Sequence, residues 1–228
     1  MLTLYTAVGT LKFQKSPHGK QIPLIMNCGK EYGLSEDELL LWSCLAFQVL
    51  QIHELKDAYI LRRLQTNRPE GLPFHHYLNR LSLRGLIVKG CGLTGVDALY
   101  RLLGGLTILP VEDTFSIRLF SCIQLYLEGT IDTKDFGRYL KRKKYTPMEA
   151  TILKLAEKVP LTTAELVTSI DQKKEIHTES DILNQLYTEA ETTYQTLVDD
   201  VQLDHTQYPV LQAIANLYLN KQISFQTC

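Results

Sequence analysis

The chain has 228 residues, 45% of them hydrophobic and 21% charged. That balance excludes a disordered, collagen-like or disulfide-stapled protein and leaves room for about one to two domains at ~150 residues each. The 24 basic and 25 acidic side chains nearly cancel, but residues 1–144 hold 19 Lys/Arg against 13 Asp/Glu, and residues 145–228 hold 5 against 12. A basic part followed by an acidic part points to a partner of opposite charge for one of them.

No run approaches the ~18 consecutive apolar residues that span a bilayer. The longest, Leu39–Leu50, is interrupted by Ser43, Cys44 and Gln48. Gly9 and Lys12 break the apolar region that a secretory leader would need. The five cysteines, Cys28, Cys44, Cys91, Cys122 and Cys228, are odd in number and never form a C-x-x-C pair. Neither a disulfide framework nor a zinc ribbon is therefore expected, and the thiols read as reduced in a cytoplasmic protein with no membrane partner.

In chain order, Leu11–Phe13 and Ile22–Met26 flank a turn at Ser16–Lys20 and predict a β-hairpin within an amino-terminal arm, residues 1–34. Ser35 and Glu38 form a capping box ahead of a buried helix that reads through Leu50. Leu55, Ala58, Tyr59, Arg62 and Arg63 give a second helix with one basic face, ended by residues 66–71. Pro73 opens a third, whose apolar stripe is Phe74, Tyr77, Leu78 and Leu81 and whose other face carries His75, His76, Asn79, Arg80 and Arg84. Leu86–Lys89 reads as a strand, and Gly90, Gly92 and Gly95 predict a turn with positive φ angles. Asp97–Leu103 is again helical, and Thr107–Leu109 reads as a closing strand. Residues 111–145 read as a helical connector: a long buried helix over Phe115–Leu127, then a shorter one over Asp132–Lys144 ending in Lys141-Arg142-Lys143-Lys144.

The acidic part, 146–228, begins with the N-cap Thr146 and Pro147, followed by the buried positions Ile152, Leu153, Leu155, Ala156 and Val159. Thr162 and Glu165 cap a short helix. Apolar residues from Ile182 to Val198 recur at three- and four-residue steps, predicting one long amphipathic helix, and a last helix covers Pro209–Leu219.

Leu78, Leu81 and Arg84-Gly85-Leu86-Ile87-Val88 resemble the end of the recognition helix and the first wing strand of winged helix-turn-helix regulators, MarR- or PadR-like in the broad sense, in which L-x-x-L-x-x-x-G-L-[IV] recurs. The resemblance covers residues 35–109. It implies a mainly α (α+β) fold, with the amino-terminal β arm before it, a helical carboxy-terminal region after it, and a fainter, wingless second copy at 146–190 serving dimerisation or protein contact. It further implies a transcription regulator that binds double-stranded DNA as a homodimer. The third helix would enter the major groove with His75, His76, Asn79 and Arg80 towards the bases, while Arg62, Arg63, Arg68, Arg84 and Lys89 hold phosphates. A solvated helix face accounts for the same polar residues without any ligand. A protein-interaction module with no nucleic-acid partner is the alternative, in keeping with a pI of about 6.6.

His75 and His76 are adjacent and point to different sides of a helix, so no metal site is expected. Residues 90–95 lack the endings of phosphate-cradling loops. With no nucleophile elbow, no H-E-x-x-H and no Cys/His pairing at a known spacing, neither catalysis nor a cofactor is expected.

Overall fold

The computed structural model describes residues 1–15, 21–66, 71–111, 145–174, 176–188, 192–203 and 208–227. The predicted connector helices and Lys141–Lys144 lie outside them, as does Arg68. Among the described residues the protein is mixed α/β with three small antiparallel sheets. Its amino-terminal half contains β1 (Leu2–Ala7), β2 (Thr10–Lys15), β3 (Gln21–Asn27), β4 (Lys30–Gly33), α1 (Glu36–Leu45), β5 (Leu50–Gln51), α2 (Ile52–Gln65), α3 (Phe74–Leu83), β6 (Ile87–Gly92) and α4 (Gly95–Leu103). The rest contains β7 (Thr107–Pro110), α5 (Pro147–Lys158), β8 (Leu161–Thr162), α6 (Thr163–Asp171), α7 (Glu179–Leu186), α8 (Tyr194–Leu203), α9 (Tyr208–Leu219) and β9 (Ile223–Gln226).

Two units share one topology. In the first, sheet order is β5-β1-β6, and in the second β8-β7-β9, so each unit's earliest strand is the middle one. Each contains, in order, a helix, a two-residue strand, a helix, further helical structure (α3 in the first unit, α7–α9 in the second) and a closing strand. A spacing of 111 residues carries the first two helices of one unit, and the short strand between them, onto those of the other. The capping box Ser35/Glu38 of α1 falls on Thr146/Glu149 of α5. Leu50, Glu54 and Leu55 fall on Leu161, Glu165 and Leu166, and both second helices open with a capping box. The closing elements match as well. Gly85 N–H bonds Ser82 O and Leu86 N–H bonds Leu81 O, while Lys221 N–H bonds Tyr218 O and Gln222 N–H bonds Leu217 O. In each case the residue after the helix is left-handed, φ 66° at Gly85 and 61° at Lys221.

Several expectations change. Residues 2–7, read as part of an arm, form the middle strand of the first sheet, paired with both β5 and β6. The predicted hairpin is present as β2–β3, extended by β4 into a separate sheet. The first helix stops at Leu45 because Ala46 is extended and Phe47 takes a φ of 59°, donating its N–H to the hydroxyl of Tyr218 at 3.1 Å. Thr107–Pro110 closes no sheet in the first unit; it pairs with β8 and β9. The stretch predicted as one long helix is two, α7 and α8. The closing element of the second copy lies at α9–β9, beyond the expected limit of residue 190.

Gly90, Gly92 and Gly95 do not form a positive-φ turn either. Gly90 and Gly92 are extended strand residues, and what they provide is room. A Cβ on Gly90 would lie 2.3 Å from Leu102 N, and one on Gly92 2.3 Å from Ala98 N, so α4 crosses the strand at backbone contact. α4 buries Tyr100, Leu102 and Leu103 in the second unit's core. It thus joins the first sheet to the second core.

Candidate nucleic-acid interface

α3 is held by its apolar stripe: Phe74, Tyr77, Leu78 and Leu81 are all buried, in a core shared with Leu41, Leu45, Leu55 and Tyr59. Its start is fixed by Tyr77, whose hydroxyl donates to Asp37 Oδ2 at 3.0 Å and accepts the N–H of Leu72 at 3.1 Å. Its end is fixed by the carbonyl of Gly85, which accepts Asn27 Nδ2 at 3.2 Å. The opposite face, His75, His76, Asn79 and Arg80 together with Ser82 and Leu83, is exposed. Leu83 is 88% exposed. The four residues expected to read bases therefore do share one open face.

The predicted phosphate-holding residues divide. Lys89 is exposed on β6. Arg84 is drawn inward: its Nη2 donates to Gly33 O at 2.7 Å, its Nη1 lies 3.5 Å from Glu38 Oε1, and its guanidinium sits 5.4 Å from the centre of the Tyr32 ring. Arg62 donates to Ser43 Oγ at 2.6 Å, across to α1. Arg63 is half-buried.

Glu38 is the residue that sequence reasoning assigned too small a role. As the third residue of α1 it accepts Ser35 N–H at 2.8 Å. Its other oxygen lies 3.2 Å from Arg80 Nε as well as near Arg84. The carboxylate is only 1% exposed, and two guanidiniums facing one buried carboxylate leave a surplus of one positive charge. Arg80 keeps half of its side chain in solvent, enough to reach an anion while Glu38 orients it.

Cysteine chemistry differs from expectation. Cys28 is disulfide-bonded, at a turn where its φ is 45°. Cys44 and Cys91 are free thiols. Burial pushes the Cys44 thiol up, only partly opposed by the charge and hydrogen bond of Arg62, whereas Cys91 is half-buried and within 3.3 Å of Thr3 Oγ1. Since the thiolate is the nucleophile, iodoacetamide at pH 8 should alkylate Cys91 at least tenfold faster than Cys44, read by peptide mass spectrometry. Equal rates would contradict the burial of Cys44 between α1 and α2.

Among the described residues no group of three or more His, Cys, Asp or Glu side chains is placed to hold a metal ion, and no helix is long and apolar enough to cross a membrane. The helix of the second unit that corresponds to α3 offers no matching surface, because α9 buries Leu211 where α3 exposes His75 and carries no basic residue. Compared with protein-family models, with curated proteins and with solved structures, the chain matches none.

Proposed function

We propose that the protein binds double-stranded DNA through its first unit, with α3 in the major groove. The observation that carries the reading is the open face of α3. A rigidly packed helix presents His75, His76, Asn79 and Arg80 side by side, with Lys89 on the strand that follows. Asn and Arg are suited to adenine and guanine edges, and a helix fits a groove ~12 Å wide. The order α1, β5, α2, α3, β6 supports a winged helix in which the strand beside β6 is contributed by β1, from the amino-terminal side, instead of by a wing hairpin. With Arg84 and Arg62 turned to protein partners, the phosphate contacts fall to about two or three, giving a log–log salt slope of roughly −2 to −3 per protomer.

Fluorescence anisotropy with a pool of random 20-base-pair duplexes at ~50 mM salt tests this directly, since non-specific affinity is expected to be measurable there. Lys89→Ala should weaken every duplex alike and make the salt slope shallower by about one, whereas Asn79→Ala should cost about 1–3 kcal/mol on selected sequences and little on random ones. No binding by the wild-type protein would overturn the proposal. A second reading, a protein partner, is favoured by Leu61, Leu64 and Leu83, exposed side chains on α2 and at the end of α3. It predicts that the wild-type protein binds no duplex and that a Leu61→Ser/Leu64→Ser protein loses a protein partner.

A further inference from the structure

Residues 145–228 contain twelve acidic residues and five basic ones, yet four of those five surround one open cavity. Lys154 and Lys158 from α5, and Lys173 and Lys174 from the turn just after α6, line a space of about 370 Å3 together with Thr151, Ser169 and His177, over an apolar floor of Leu155, Ile170 and Ile176. Among the described residues that line it there is no carboxylate. Cations near helix carboxy termini are favoured by the macrodipole, which accounts for Lys158, Lys173 and Lys174 one at a time. It does not account for their convergence with Lys154 on one hollow in an otherwise acidic part of the chain.

The duplicated topology shows what is missing there. At the spacing of 111 residues, Arg62-Arg63 correspond to Lys173-Lys174 and Ser43 corresponds to Lys154. In the first unit Arg62 reaches across to Ser43 Oγ at 2.6 Å, so the second helix is tied to the first by a donor and an acceptor. In the second unit both positions are ammonium groups, which have no acceptor and cannot bond each other. Lys158 Nζ lies 2.8 Å from His177 Nδ1, and Lys174 Nζ donates to the carbonyl of Gln185, and neither of these partner atoms is a carboxylate oxygen. An anion placed between α5 and α6 would make the bridge that Arg62 makes in the first unit, and its several oxygens would match the several ammonium groups.

We propose that this cavity binds a small organic molecule bearing a di- or triphosphate, its phosphates held by Lys154, Lys158, Lys173 and Lys174 and its apolar part resting on Leu155, Ile170 and Ile176. The volume lies within the ~300–1,000 Å3 of small-ligand sites. The site is independent of the α3 surface, and the two proposals fail separately.

Isothermal titration of the full chain at ~50 mM salt, without divalent cations, should show one tripolyphosphate per protomer and adenosine triphosphate binding at least as well, with inorganic phosphate more than tenfold weaker. Lys154→Gln/Lys173→Gln, two exposed positions whose fold can be checked by circular dichroism, should weaken tripolyphosphate more than tenfold. Lys221→Gln, the remaining basic residue of the segment, and Asn79→Ala should leave it unchanged. Absence of tripolyphosphate binding, or equal binding by the double variant, would overturn the proposal. So would a double variant that loses a 20-base-pair duplex while the wild type ignores tripolyphosphate, since the lysines would then serve a nucleic-acid backbone.

Discussion

Gly90→Ala is expected to destabilise the protein by about 3 kcal/mol or more, lowering the thermal midpoint by roughly 6–12 °C for a chain of this size. The cause is geometric. The new methyl group would stand 2.3 Å from Leu102 N, 2.4 Å from Ala98 O and 2.6 Å from Leu102 Cα, all of them backbone atoms that no rotamer change can move aside. α4 would have to lift from β6, and it takes much with it: the buried side chains of Ala98, Tyr100, Leu102 and Leu103, the hydrogen bond from the Tyr100 hydroxyl to Val198 O at 2.8 Å, and that from Gln202 to Asp97 at 3.0 Å. The loss should therefore reach α8 in the second unit, seen as faster amide exchange over residues 194–203. Gly95→Ala is the control. A Cβ there meets only Leu2 Cδ2 at 3.9 Å, so it should be neutral or slightly stabilising. Equal effects at the two positions would contradict the close helix–strand approach.

Local signals were the legible ones. The capping boxes at Ser35/Glu38, Thr146/Glu149 and Thr162/Glu165 announce their helices within four residues, and the stripe of α3 alone places His75, His76, Asn79 and Arg80 on an outer face. Long-range pairing was not legible. Leu2–Ala7 is not distinguished in sequence from the rest of the arm, because its partner β6 lies eighty to ninety residues away. Gly90 and Gly92 carry the composition of a turn, and only the position of α4 shows that they are flat. The second unit's end was hidden because Lys221 holds the left-handed position that Gly85 holds in the first, so the R-G-L-I pattern is absent from a segment of equivalent topology. Of the candidate site, exposure could be read from periodicity, whereas the inward turn of Arg84 and Arg62 depends on Glu38, Gly33 and Ser43, residues of other elements. The disulfide of Cys28 left no spacing signal at all.

Tyr218→Ala should cost about 4 kcal/mol, in the range for removing a large buried aromatic side chain, and should split unfolding into two steps. The ring packs between Phe225 and Phe47, centroids 4.6 and 5.6 Å away. Its hydroxyl accepts Phe47 N–H at 3.1 Å and lies 2.8 Å from Thr6 Oγ1, 3.1 Å from Ala7 O and 3.3 Å from Leu45 O. Because α9 belongs to the second unit and all four of these partners to the first, one side chain fastens the two units at their shared boundary. Burial also pushes its phenol up, so the hydroxyl stays protonated and able to donate throughout the neutral range. Tyr218→Phe isolates the polar share. It keeps the ring and leaves Phe47 N–H without this acceptor, for an expected loss of about 1–3 kcal/mol with unfolding still in one step. Denaturant titration followed by Trp42 fluorescence, which reports the first unit, and by far-ultraviolet circular dichroism, which reports both, distinguishes the cases. In the alanine variant the two curves should separate. Coincident curves with a loss of stability below about 1 kcal/mol would mean that other contacts, such as Gly9 N–H to Phe225 O at 2.7 Å, hold the units together without it.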